Sequence, residues 1–210
     1  MIKVSLLGDS ILGAGYGKYV PRLLGEEFEV YQSDDNCRFS KYTIRRLFDM
    51  KGLMAGSRIV HWNNGLWDIC DLFGDGPFSD EDEYVKNMLR IADILQERYE
   101  KVIFATTTPV TERNMYDKNP VIKRYNEVIV PLLEKRGIII NDLHSLIATN
   151  VDRYIKSDNI HLTDEAAMLC AQQVVKVIKD AAKTLNSAET KVTCDTDEPE
   201  TGLPVIVENK

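Results

Sequence analysis

Two short polar segments carry the residue types of nucleophilic catalysis. Near the start, "LLGDSILGAG" (6–15) runs an apolar stretch into Gly8-Asp9-Ser10. Near the far end, "SDNIHLT" (157–163) sets Asp158 three residues before His161. Serine is a weak nucleophile at its free pKa and needs an adjacent base. That base needs a carboxylate to hold its tautomer and to stabilise the imidazolium. Ser10, His161 and Asp158 supply the three types. Each segment also has a plain alternative, a tight turn for the first and surface polarity for the second. A phosphate-binding loop needs Gly, four residues, then Gly-Lys-Ser/Thr. Here Gly17-Lys18 is followed by Tyr19, and the earlier glycine falls on Leu12. A dinucleotide loop begun at Gly13 and Gly15 meets Lys18 where its third glycine belongs. His61, His144 and His161 have no metal-ligand spacing, so no metal is expected. His61 lies inside an apolar stretch and reads as a core or sheet-face residue.

The elements that must position these residues alternate. Short apolar runs at 2–7, 57–62, 101–108 and 138–142, and the alternating segment 27–32, read as strands. Segments 16–25, 42–53, 79–100, 119–137 and 163–185 have helical spacing. Ser79 and Thr163 are candidate N-caps, Pro131 a candidate kink and Gly137 a stop. The acids at 80–83 fall where a helix dipole favours them, so they read as a solvated helix start rather than a metal site. Strand–helix alternation predicts a parallel sheet covered on both faces, with ligands at the strand carboxyl ends. Ser10 and the 157–163 loop share that rim.

The 210 residues are 44% hydrophobic and carry a formal net charge of −7. Residues 1–185 are enough for one domain with a buried core. Residues 186–210 are polar and acidic and read as a flexible tail. No basic stripe is present to neutralise phosphates, so no nucleic-acid partner is expected. Cys37, Cys70, Cys170 and Cys194 form no paired motif and read as reduced thiols. No leader-like segment or membrane-length apolar run is visible, which points to a cytoplasmic protein with no membrane partner. The oligomeric state is open.

Taken together, the two polar segments resemble those of the SGNH hydrolases, the GDSL esterase/lipase family. Gly8-Asp9-Ser10 matches that family's first block and Asp158-Asn159-Ile160-His161 its last, with the order of elements agreeing over about residues 3–182. The resemblance implies an α/β fold: a three-layer α/β/α sandwich, flavodoxin-like, on a five-stranded parallel sheet. It implies a Ser10–His161–Asp158 triad and no cofactor. It also implies an oxyanion hole built from Ser10 N–H, a second-block backbone amide and a third-block asparagine. "CRFSKYTIRRL" (37–47) aligns Ser40 with the second-block glycine, where it could equally cap the following helix. In "WNNGLWDI" (62–69), Trp67 stands where the third-block asparagine belongs. Asn63 or Asn64 is expected to supply that amide, Asn63 being favoured because it leaves the strand directly. Both could instead be loop asparagines that tolerate unusual backbone angles. Arg38, Trp67, Arg113 and Tyr116 are expected to line the pocket, a cationic and aromatic rim suited to a sugar or small polar acyl ester. The expected activity is hydrolysis of small, acetyl-type esters, with carbohydrate esters as first guess. A non-catalytic binding protein and an acyltransferase are the alternatives.

Overall fold

The computed structural model describes residues 1–33 and 35–186. Five parallel strands form one sheet: β1 (Ile2–Leu7), β2 (Phe28–Gln32), β3 (Ile59–Asn63), β4 (Lys101–Ala105) and β5 (Ile139–Asn141), in the order β2-β1-β3-β4-β5. Every residue of β3 is buried. A strand with both faces covered reads as a continuous apolar run rather than an alternation, which is why these segments stood out. The helices are α1 (Val20–Leu24), α2 (Ser40–Asp49), α3 (Leu66–Ile69), α4 (Glu81–Arg98), α5 (Asn119–Glu134), α6 (Leu143–Ala148), α7 (Val151–Tyr154) and α8 (Asp164–Ala182). Helix α4 packs between α2 and α5, while α8 packs against α1 and α6. The result is the three-layer α/β/α arrangement expected. From β1 the chain steps to one side to make β2 and then crosses to the other for β3. That reversal opens a crevice at the carboxyl ends of β1 and β3. Gly8–Ser10 and Asn63–Gly65 lie there.

Several boundaries differ from the sequence expectation. The helix expected over 16–25 is divided into a 3-10 turn (Tyr16–Lys18) and the short α1, and a π-helical turn (Ile11–Gly15) precedes them. Gly17 is a poor helix former, which favours the division. The strand expected over 101–108 stops at Ala105, and Thr106–Thr108 continue as loop. The N-cap of α4 is Asp80, whose carboxylate accepts from Glu83 N–H at 2.8 Å. The neighbouring Ser79 is buried and donates its N–H to the Asp68 carbonyl. Pro131 is accommodated within α5, and Gly137, at φ +76°, turns the chain into β5. Thr163 caps α8 as expected. The tail expectation for 186–210 and Cys194 fall, from residue 187 onward, outside the described residues. Cys37, Cys70 and Cys170 are free thiols. No helix among the described residues is long and apolar enough to cross a membrane.

Candidate active site

Ser10 follows β1 at the start of the π-helical turn. Its Oγ lies 2.9 Å from His161 Nε2, and His161 Nδ1 lies 3.0 Å from Asp158 Oδ2. The loop that carries the pair is built for it. Asp158 Oδ1 accepts from Ile160 N–H (3.1 Å) and His161 N–H (2.9 Å), and Asn159 takes a positive φ of 70°. The His161 carbonyl accepts Lys156 N–H at 2.7 Å, and Ile155 bridges to Leu162. Asn159 is tied across to the 106–118 loop, taking Thr111 Oγ1 on its side chain at 2.7 Å and Thr111 N–H on its carbonyl. Burial pushes the Asp158 carboxyl up, but the two backbone N–H donors and the imidazole outweigh it and hold its pKa below the ordinary value. An ionised Asp158 only accepts, so Nδ1 carries the imidazole proton and Nε2 is free to accept from Ser10. This arrangement can draw a proton from a serine hydroxyl.

The amides expected around an oxyanion are placed differently. Ser40 is not capped by its own side chain and does not offer its N–H to the crevice. That N–H points at the Asp68 carboxylate (3.1 and 2.9 Å), and Ser40 Oγ donates to Asp68 at 2.6 Å. Asp68 thus caps α2 from 28 residues away, with Asn87 Nδ2 reaching Ser40 Oγ at 3.2 Å. Burial pushes the Asp68 carboxyl up to about 6 against these donors. Asn64 is also committed. Its Oδ1 takes Thr43 Oγ1 and Trp62 Nε1, and its Nδ2 donates to the Arg38 carbonyl. Asn63 Nδ2 donates to Asp9 Oδ1 at 2.9 Å, and its Oδ1 accepts Tyr16 O–H at 3.0 Å. Ser40, Asn63 and Asn64 therefore hold the crevice together from behind. Among the described residues, the Ser10 and Lys41 N–H groups take no protein acceptor.

Two glycines are required here. A Cβ on Gly8 would lie 2.0 Å from Asn63 Oδ1. Gly65 has φ +149°, and a Cβ there would lie 2.0 Å from Thr107 Oγ1, which donates to the Asn64 carbonyl at 3.0 Å. Side-chainless positions let β3 and β4 close on the nucleophile turn.

A cleft of about 200 Å³ opens beside Ser10. Gly13 and Ala14 form one side, and Ser33, Asp35 and Asn36 the other. Those last three were not singled out individually, although they lie just past the carboxyl end of β2, where the fold places ligands. The expected lining residues sit elsewhere. Arg38 stacks over the Tyr42 ring, 4.9 Å from its centroid. Arg113 reaches Asn159 Oδ1 at 3.4 Å. Trp67 and Tyr116 are 43% and 48% exposed, within a chain region that also exposes Leu72, Phe73, Phe78 and Met115. The two segments are joined by Asp71 N–H donating to the Tyr116 carbonyl. None of the four lines the cleft, and the aromatic rim is more apolar than the sequence suggested. His61 is buried in β3, as read. Burial pushes its pKa down to about 3, and its Nε2 faces Asn141 Nδ2 at 3.0 Å.

No family model matches the chain. It is similar to the rice (Oryza sativa subsp. japonica) GDSL esterase/lipase WDL1, 26% identical over 162 residues, which cover 70% of this chain and 62% of that protein. The chain thus spans less than two thirds of that relative's length. Its fold matches a crystal structure of a lipase/acylhydrolase from Enterococcus faecalis with a TM-score of 0.74 at 19% identity, covering 86% of this chain and 97% of the other. The acetyl xylan esterase AlAXEase matches with a TM-score of 0.66 at 21% identity, covering 84% and 100%.

Proposed function

We propose that this chain, a member of the SGNH (GDSL-type) hydrolase family, is a serine esterase whose catalytic residues are Ser10, His161 and Asp158. The observation that carries the reading is the hydrogen-bonded line from Asp158 through His161 to Ser10, at 3.0 and 2.9 Å. Ser10 Oγ attacks the ester carbonyl while His161 Nε2 takes its proton. The tetrahedral intermediate collapses, the C–O bond to the alcohol breaks, and His161 returns the proton to that alcohol. A water then gives a proton to His161 and attacks the acyl carbon, and the acid leaves as Ser10 regains its hydrogen. No step calls for a cofactor.

The oxyanion is stabilised by Ser10 N–H and Lys41 N–H. Lys41 takes over the role expected of Ser40. Segment 37–41 is held against the nucleophile turn by Cys37 N–H on the Gly8 carbonyl at 2.9 Å, and Lys41 N–H is a first-turn amide of α2 without an acceptor. Proline has no N–H, and at the second position of α2 it also presses on the helical backbone of Ser40. Lys41→Pro lowers kcat by about 10²–10³-fold, whereas Lys41→Ala, which keeps the amide, retains the wild-type kcat; circular dichroism checks that α2 is kept in both. An unchanged kcat in the proline variant removes Lys41 from the site.

The substrates are small acyl esters, acetyl-type, with a carbohydrate alcohol as the first class to test. The polar wall of Ser33, Asp35 and Asn36 supports this, as does the likeness to an acetyl xylan esterase. The direct test is a fluorophosphonate probe alongside p-nitrophenyl acetate. Labelling at Ser10 together with turnover is the expected result. Folded protein that shows neither is not an esterase of this kind.

A further inference from the structure

Asp9 is almost wholly buried, yet among the described residues no cationic side chain bonds it. Its Oδ1 accepts Ile11 N–H at 2.9 Å, closing a turn around Ser10, and also accepts Asn63 Nδ2 at 2.9 Å. Asn63 passes the link to Tyr16 O–H at 3.0 Å. The relay starts and ends on the 9–16 segment that carries Ser10, and it crosses β3 in between. A neutral side chain could also accept Ile11 N–H, so the turn alone does not explain a carboxylate. Burying one without a counter-charge is unfavourable.

The relay supplies the reason: Asp9 Oδ1 accepts Ile11 N–H and Asn63 Nδ2 at once and so ties the nucleophile turn to β3. A small cavity of about 10 Å³ behind Asp9, walled by Asn63, Tyr16 and Thr106–Thr108, offers no cation either.

We infer that Asp9 is a positioning residue for this chemistry: through Ile11 N–H and the Asn63–Tyr16 relay it fixes the turn that presents Ser10. The inference rests on the esterase reading above. Burial raises the Asp9 pKa, and the hydrogen bonds from Asn63 and Ile11 oppose that rise.

Asp9→Ala tests it, because it removes both hydrogen bonds. The kcat for p-nitrophenyl acetate falls by roughly tenfold with KM within about twofold. Asp9→Asn, whose amide oxygen can still take Ile11 N–H and Asn63 Nδ2, recovers most of that loss. Asn63→Ala breaks the same relay, lowers kcat as well, and adds little when combined with Asp9→Ala. If Asp9→Ala does not fold, Asn63→Ala carries the same reading. Wild-type kcat in Asp9→Ala overturns the inference. So does an Asp9→Asn variant as slow as Asp9→Ala. Turnover that survives in Ser10→Ala overturns the esterase reading instead.

Discussion

Ser10→Ala lowers turnover of p-nitrophenyl acetate by about a millionfold and abolishes fluorophosphonate labelling. In the proposed mechanism no other group can take its place. Other hydroxyls on the rim are engaged: Ser33 Oγ donates to the Asp35 carbonyl, Thr106 Oγ1 to the Asp142 carboxylate and Thr107 Oγ1 to the Asn64 carbonyl. The fold should not notice the change. Among the described residues Ser10 Oγ bonds only His161 Nε2, and the Gly13 N–H bond to the Asp9 carbonyl and the Ile11 N–H bond to the Asp9 side chain both remain. Losing one half-exposed hydrogen bond lowers stability by about 1 kcal/mol. Turnover above a few per cent of wild type would remove Ser10 from the nucleophile's role. A thermal melt taken alongside excludes unfolding as the cause of a null result.

Asp158→Asn is the second large effect, and its logic is the tautomer. Asp158 Oδ1 is held by two backbone N–H groups, from Ile160 and His161, and only Oδ2 faces the imidazole. In the asparagine variant the amide oxygen stays on those backbone donors, because an NH₂ placed there would meet two hydrogens. The NH₂ is then left facing Nδ1. His161 must accept at Nδ1, so its proton moves to Nε2, where it can no longer accept from Ser10. The expected loss in kcat is about 10⁴-fold, with the loop conformation intact. Asp158→Ala removes the backbone bonds as well and should also lower the melting temperature, whereas Asp158→Asn should not. An asparagine variant within tenfold of wild type would show that Asp158 does not set the tautomer.

Much of this was legible in the residue order. Short strands, apolar runs at the centre and an alternating one at the β2 edge, set between amphipathic helices, point to a parallel sheet covered by helices. Ser10 and His161 were legible for a related reason. A parallel sheet puts every strand's carboxyl end on one rim, so residues 151 apart in the chain can be assigned to one edge before any contact is known. The placement of Ser40, Asn63 and Asn64 was not legible. Each has the right donor, but whether a donor faces a substrate or a buried neighbour depends on partners far away in sequence: Asp68 for Ser40, Asp9 and Tyr16 for Asn63, Thr43 and Trp62 for Asn64. Lys41 escaped notice because its relevant group is backbone, which no side-chain pattern marks. The cleft wall at Ser33, Asp35 and Asn36 has no motif at all and follows only from strand order.

The crossing of Asn63 over Gly8 also bears on how this chain can change through time. The 2.0 Å approach leaves no room for even a methyl group at residue 8 while an asparagine occupies residue 63. A lineage that gained a side chain at the first site would have to shorten the second in the same step, or lose the turn that holds the serine. Shortening residue 63 first would cut the tether to Asp9 and Tyr16. Either single substitution leaves a crowded turn or an untethered one, so the two positions constrain each other's replacement.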